Sequence, residues 1–238
     1  MRDIFVGELV GTFLLILLGT SVVANVNMKK SGMHGGGSVQ ITIAWGLAVM
    51  IPAYCFGEMT GASFNPALTI ALACRGDVAW NTVPVYIIAQ ILGAFLGACM
   101  TYLLFKDHFD QEENNAEGIR GCFCTAPSIP NTFRNLLSEI VGTFVLCFTI
   151  FGMAQMPTAG TSGVDKIYVY GIIVSVGMSL GGLTGYAINP ARDLGPRLAY
   201  TLLPFKDKTT PNFQYGWIPV VGPIIGAVIA VVVDAWVF

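Results

Sequence analysis

The chain has 238 residues, 54% of them hydrophobic and 11% charged, with a mean hydropathy of +0.68 and a formal net charge of −2. Soluble domains carry about 25% charged residues, so this composition excludes a soluble globule and points to a chain dissolved in lipid. The slight negative charge and the lack of any basic tract exclude nucleic acid as a partner.

Six apolar stretches are long enough for a bilayer core, which needs about 20 residues. The first, Ile4 to Ala24, follows Met1-Arg2-Asp3 without a small-residue cleavage site and reads as a retained span rather than a signal peptide. A Gly-rich loop, Asn25 to Ser38, leads to the second, Val39 to Gly57. Pro66 to Cys74 is apolar but about half the spanning length. The third span, Val83 to Phe105, carries no charge. A long loop, Lys106 to Arg134, follows with Asp107, Asp110, Glu112, Glu113 and Glu117, which read as a solvated acidic run. Then come the fourth span, Asn135 to Met156, and the fifth, Ile167 to Leu180 with a Gly-rich tail. A second short segment, Pro190 to Leu203, precedes the sixth span, Gly216 to Phe238. The short segments cannot cross alone. They read as re-entrant half-helices, because irregular backbone at membrane depth survives only where protein or a wet cavity satisfies it.

The chain repeats itself. Gly7-Glu8-Leu9-Val10-Gly11-Thr12-Phe13 in the first span resembles Ser138-Glu139-Ile140-Val141-Gly142-Thr143-Phe144 in the fourth, and each is followed by two spans with Asn-Pro-Ala between them. One domain, 1–238, thus divides into halves 1–105 and 134–238 joined by 106–133. Three spans per half is an odd number, so the halves enter from opposite sides as an inverted repeat and their half-helices meet near the middle. The expected fold is an all-α membrane bundle of six transmembrane helices plus two re-entrant half-helices.

The half-helices begin at Gly61-Ala62-Ser63-Phe64-Asn65-Pro66-Ala67 and Gly185-Tyr186-Ala187-Ile188-Asn189-Pro190-Ala191. Asn is a favoured N-cap, and proline (Pro66, Pro190) is best tolerated at the first helical position. Two facing helix starts aim their N–H groups and positive dipole ends at one spot, where Asn65 and Asn189 add amide donors. That spot suits neutral oxygen acceptors and repels cations and hydronium, the electrostatics of a pore for small neutral solutes. Arg192, one turn into the second half-helix, either lines this passage or snorkels to the surface. Glu8 and Glu139 occupy equivalent places in otherwise uncharged spans; scaffolding of the re-entrant loops and a proton relay are the two roles open to them. Gly93 and Gly97, like Gly222 and Gly226, have the spacing of close helix crossings, within or between subunits. Cys55, Cys74, Cys99 and Cys147 read as small packing residues. Cys122 and Cys124, and the loop residues His34 and His108, lack the neighbours of a metal site, so no metal or cofactor is expected.

Together with Gln90 at the start of the small-residue stretch, these motifs resemble the aquaporin superfamily over essentially the whole chain, and within it the bacterial glycerol facilitator branch. The resemblance implies a right-handed bundle, assembled as a homotetramer with one pore per subunit, in the cell membrane with both termini cytoplasmic. Counting charges favours the reverse orientation, since only Arg2, Arg75 and Lys166 would face inward against Lys29, Lys30, Lys106, Arg120, Arg134, Lys206 and Lys208 outward. The orientation implied by the resemblance is adopted here. Asp193, expected to support the half-helix, and Pro219-Val220 match the glycerol branch. Trp45, Gly177, Tyr186 and Arg192 align with the family's narrow filter, in which Gly177 would leave room, Trp45 and Tyr186 would form an apolar corner, and Arg192 would receive hydroxyls on the other side. Ser63-Phe64 departs from the His and aliphatic residue common in the family, so the role of that His does not carry over. Tyr186 stands where bacterial facilitators have Phe; its hydroxyl adds polarity and bulk, which widens the candidate solutes to water, hydrogen peroxide, urea and protonated small acids such as lactic acid. The expected function is passive diffusion of glycerol and such solutes. A strict water channel and an ion-coupled transporter using Glu8 and Glu139 are the alternatives, and no nucleophile, base and oxyanion donor cluster as an enzyme would require.

Overall fold

The structure, a computed structural model, describes residues 1–153, 155–156 and 158–238. Among them the regular structure is helical throughout: α1 (Arg2–Asn27), α2 (Gly37–Thr60), α3 (Pro66–Arg75), α4 (Val83–Leu104), α5 (Lys106–Asp110), α6 (Ala116–Phe123), α7 (Thr132–Met153), α8 (Ala159–Ser162), α9 (Val164–Thr184), α10 (Pro190–Leu202), α11 (Phe213–Gly216) and α12 (Ile218–Val237). Six of the described helices are long and apolar enough to cross a membrane: α1, α2, α4, α7, α9, and α11 continuing into α12. The short α3 and α10 are the two expected half-helices.

The long helices overrun the apolar stretches at most ends, as with α2, which runs to Thr60 and stops where Gly61 turns left-handed at φ 80°. The fourth span is shifted instead, starting at Thr132 and ending at Met153. Of its last expected residues, 155–156 fall beyond the helix, and Ala154 lies outside the described residues.

The connecting segment corrects the sequence reading. It folds into α5 and α6, and Phe109 and Phe123 pack with Phe205, each with ring centroids 5.3 Å from it. Glu112, expected in solvent, is buried: its carboxylate accepts from the Lys29 backbone N–H and from Asn115 Nδ2, both at 2.6 Å. It thereby satisfies the backbone just past the end of α1 and ties the loop down. Asp107, Glu113 and Glu117 are exposed as expected. Cys122 and Cys124 are buried packing groups, and burial pushes both thiols up, Cys124 to about 12, so neither is a thiolate. Cys147 is buried in the bundle, but Cys55 and Cys74 face outward rather than packing inside. Each is small enough that leaving it exposed costs little.

Close backbone approach explains the small-residue stripes, and it occurs within the chain. A Cβ on Gly93 of α4 would lie 2.3 Å from the Leu9 carbonyl of α1, and one on Gly226 of α12 would lie 2.1 Å from the Ile140 carbonyl of α7. Leu9 and Ile140 directly follow Glu8 and Glu139, so the same helix pair is built twice. Gly226→Val is expected to force α12 off α7 and lower the unfolding temperature of the detergent-purified protein, at a cost of about 1–3 kcal/mol or more. Gly182→Ala is the control, since a Cβ there meets nothing within 4 Å.

Candidate functional site

The centre of the bundle is set by two loops that follow the same path. α2 and α9 each end at a threonine followed by a left-handed glycine, Gly61 and Gly185, both at φ 80°. Beyond them Ala62 (52°) and Phe64 (46°) match Tyr186 (37°) and Ile188 (43°), all non-glycine residues with positive φ. Such residues cost about 1–3 kcal/mol each and persist only where their surroundings hold them.

The holding groups are Glu8 and Glu139, both fully buried. The Glu8 carboxylate accepts from Thr60 Oγ1 (2.7 Å), Ser63 N–H (3.2 Å), Phe64 N–H (2.8 Å) and Gln90 Nε2 (2.8 Å). Glu139 accepts from Thr184 Oγ1 (2.7 Å), Ala187 N–H (3.0 Å) and Ile188 N–H (2.8 Å). Every oxygen of both carboxylates is taken by loop or helix donors, a scaffold geometry. Gln90 also donates to Thr69 Oγ1 at 2.9 Å, fastening α3 to α4. The sequence flagged Gln90 as a family marker without this task.

Each loop delivers an asparagine in extended backbone to a helix start. Asn65 Oδ1 accepts from Ala67 N–H at 3.0 Å, and Asn189 Oδ1 from Ala191 and Arg192 N–H at 3.0 and 3.3 Å. Pro66 and Pro190 occupy the first helical turn. The side-chain nitrogens cross over: Asn65 Nδ2 donates to the Ile188 carbonyl (2.9 Å) and Asn189 Nδ2 to the Phe64 carbonyl (2.8 Å). One N–H of each amide is therefore committed to the opposite loop, leaving one for the space between them.

That space is a cavity of about 220 Å³. Its polar lining includes Ser63, Asn65, Tyr186, Asn189 and Arg192; its apolar lining includes Leu15, Val49, Leu146, Ile150, Val169 and Ile173. Trp45, Tyr186 and Arg192 line it, and Gly177 lies against the Tyr186 ring. Gly177 is obligatory, since a Cβ there would stand 2.8 Å from Tyr186 Cζ and 2.7 Å from Thr42 Cγ2. Arg192 differs from expectation: its guanidinium carbon lies 4.1 Å from the Trp45 ring centroid, stacked on that face rather than across an opening from it. The negative ring face partly offsets the buried positive charge, a contact worth about 0.5–2 kcal/mol. Trp45 Nε1, Tyr186 Oη and Ser63 Oγ are buried with no protein hydrogen-bond partner among the described residues.

Asp193 points away from the cavity and is fully buried. It accepts from Thr125 N–H (2.9 Å) and Oγ1 (2.6 Å), and from Arg197 Nε (2.7 Å) and Nη2 (2.9 Å). Arg197, itself without exposure, also donates to the carbonyls of Thr125 (2.8 Å), Asn212 (3.2 Å) and Pro211. One guanidinium thus stitches α10 to the segment at Thr125 and to the segment at Pro211 and Asn212. Sequence reasoning missed Arg197, although its place four residues after Asp193 on a helix was the available signal.

The model of the family described as "Major intrinsic protein" matches residues 2–234. The chain is 50% identical to the glycerol uptake facilitator protein of Bacillus subtilis (strain 168), over 93% of this chain and 80% of that one. It is 45% identical to a probable glycerol uptake facilitator protein of Thermotoga maritima, over 99% and 100% of the two chains. The X-ray structure of the aquaglyceroporin from Plasmodium falciparum superposes with a TM-score of 0.85 at 30% identity, covering 99% of this chain and 96% of that one. With its six membrane-length helices, its two half-helices meeting at paired asparagines and this match along nearly its whole length, the chain is a multi-pass membrane protein that belongs to the major intrinsic protein family.

Proposed function

We propose that the protein is a passive channel for glycerol and other small neutral solutes, and not an enzyme. The observation that carries this reading is the cavity's two-sided chemistry: buried donors without protein partners at Trp45, Tyr186 and Ser63 beside a hydrocarbon lining. A polyol has the same two sides, hydroxyls along one edge and carbon along the other. The uptake facilitators named above support glycerol as the solute. Asn65, Asn189 and Arg192 repel cations, while Trp45, Gly177 and Tyr186 set the width; Glu8, Glu139, Pro66, Pro190 and Asp193 hold the half-helices in register.

In this reading 1–105 and 134–238 are inverted halves, the protein works as a homotetramer in the cell membrane, and both termini are cytoplasmic. The cations that oppose this orientation are largely engaged by the connecting segment, as in Lys29 with Glu112 (3.7 Å), Lys206 with Asp110 (3.4 Å), and Arg120 with Glu117. They serve the fold there, which accounts for their being on that side.

Proteoliposomes are expected to take up glycerol linearly with its concentration and without regard to ion gradients. Water flux without glycerol flux would sink the proposal in favour of a strict water channel. Tyr186→Trp is expected to narrow the filter and lower glycerol permeability about tenfold, equivalent to ~1.4 kcal/mol of barrier, with a smaller loss for water. Equal loss of both would mean a damaged fold.

A further inference from the structure

The cavity that starts at Tyr186 and Arg192 also reaches Asp165 and Lys166, two charges with no part in the reading so far. They stand in the first turn of α9, at the opposite end of that helix from the filter loop. Successive helical residues point about 100° apart, so neighbours pair only when the longer side chain folds back. Lys166 does so: its Nζ lies 2.5 Å from Asp165 Oδ2. Room comes from α2, where a Cβ on Gly57 would sit 3.1 Å from Lys166 Cε. Both side chains are about four-fifths buried, at 21% and 19% exposure.

The pair leaves one oxygen over. Asp165 Oδ1 is buried and has no hydrogen-bond partner among the described residues. A buried carboxylate oxygen without a donor is costly, so this site is complete only when a donor arrives. Val169, one turn on from Asp165 in α9 and also lining the cavity, has no side-chain donor to offer. Lys166, with three N–H groups and one engaged by Asp165, retains donors of its own.

We propose that Asp165 and Lys166 form a second solute-selecting station, at the mouth far from Arg192, for molecules bearing adjacent hydroxyls. One hydroxyl donates to Asp165 Oδ1 while its neighbour accepts from Lys166 Nζ. A vicinal diol engages both groups at once, whereas each water engages one and must be ordered separately. The station rests on the channel reading and deepens it.

The test compares wild type with Asp165→Asn, which keeps the shape, and Lys166→Met, which keeps the stem, in proteoliposomes offered water, glycerol, 1,2-propanediol and 1,3-propanediol. Each variant is expected to lower the glycerol-to-water permeability ratio about three- to tenfold, the worth of one hydrogen bond. The double variant is expected to add little, since the pair acts as a unit. A wild-type preference for the 1,2-diol over the 1,3-diol is expected to shrink in all three. An unchanged ratio, or water and glycerol falling together, would overturn the station and leave a helix-start ion pair. Absence of glycerol flux in the wild type would instead overturn the channel reading, so the two failures are told apart.

Discussion

Arg197→Ala is expected to leave little folded protein in detergent extracts and to abolish glycerol flux from what remains. The substitution strands the Asp193 carboxylate at zero exposure and removes donors from three carbonyls, those of Thr125, Pro211 and Asn212. Breaking a buried pair from one side costs about 3–5 kcal/mol, a large fraction of the margin that keeps any domain folded. Arg197→Lys separates charge from geometry. An ammonium keeps the pairing with Asp193 but cannot fork to all three segments, so an intermediate unfolding temperature is expected. Equal stability of Lys and Ala variants would mean that the fork, and not the charge, is what matters; unchanged stability in both would remove the stitch from the account.

Arg192→Ala is expected to act on selectivity rather than on the fold. Among the described residues the side chain pairs with no carboxylate and lies on Trp45, so its loss strands no buried charge. What disappears is a positive charge beside the path. A unit charge about 4 Å away at an effective dielectric of ~20 contributes about 4 kcal/mol, a ceiling of roughly a thousandfold on cation leak. The two half-helix starts keep their own positive ends, so the measured rise should fall well short of that ceiling. Erythritol uptake should rise with it, because the guanidinium also fills the narrow end. Wild-type rejection of erythritol and of monovalent cations in the variant would take Arg192 out of the filter.

The framework was legible because its signals are local and doubled. The two Asn-Pro-Ala segments, the Glu-x-x-Gly-Thr-Phe repeat and six charge-poor stretches of spanning length each carry their physics in adjacent residues. The rest depends on partners far along the chain. Arg197 reads as an ordinary cation until Thr125, 72 residues away, is beside it. Glu112 reads as solvated until Lys29, just past α1 and 83 residues earlier, offers it an N–H. α5 and α6 are too short to stand out, and aromatic contacts with Phe205 hold them. The position of Arg192 on Trp45 was missed for another reason. Alignment with a filter identifies which residues meet, but the rotamer follows from what competes for the guanidinium, and here a ring face wins.

The crossed amides have a consequence for how the molecule comes to be made. Asn65 needs the carbonyl of Ile188, and Asn189 needs that of Phe64. When residues 1–105 have left the ribosome, the first helix start has its cap and its glutamate but not its counterpart, and the loop that carries left-handed Ala62 and Phe64 is only half restrained. The centre can close only after residue 189 has been synthesised, as a joint act of both halves. Biogenesis is therefore expected to pass through a loosely inserted intermediate, and the two halves, expressed as separate chains, should find each other through these same two bonds.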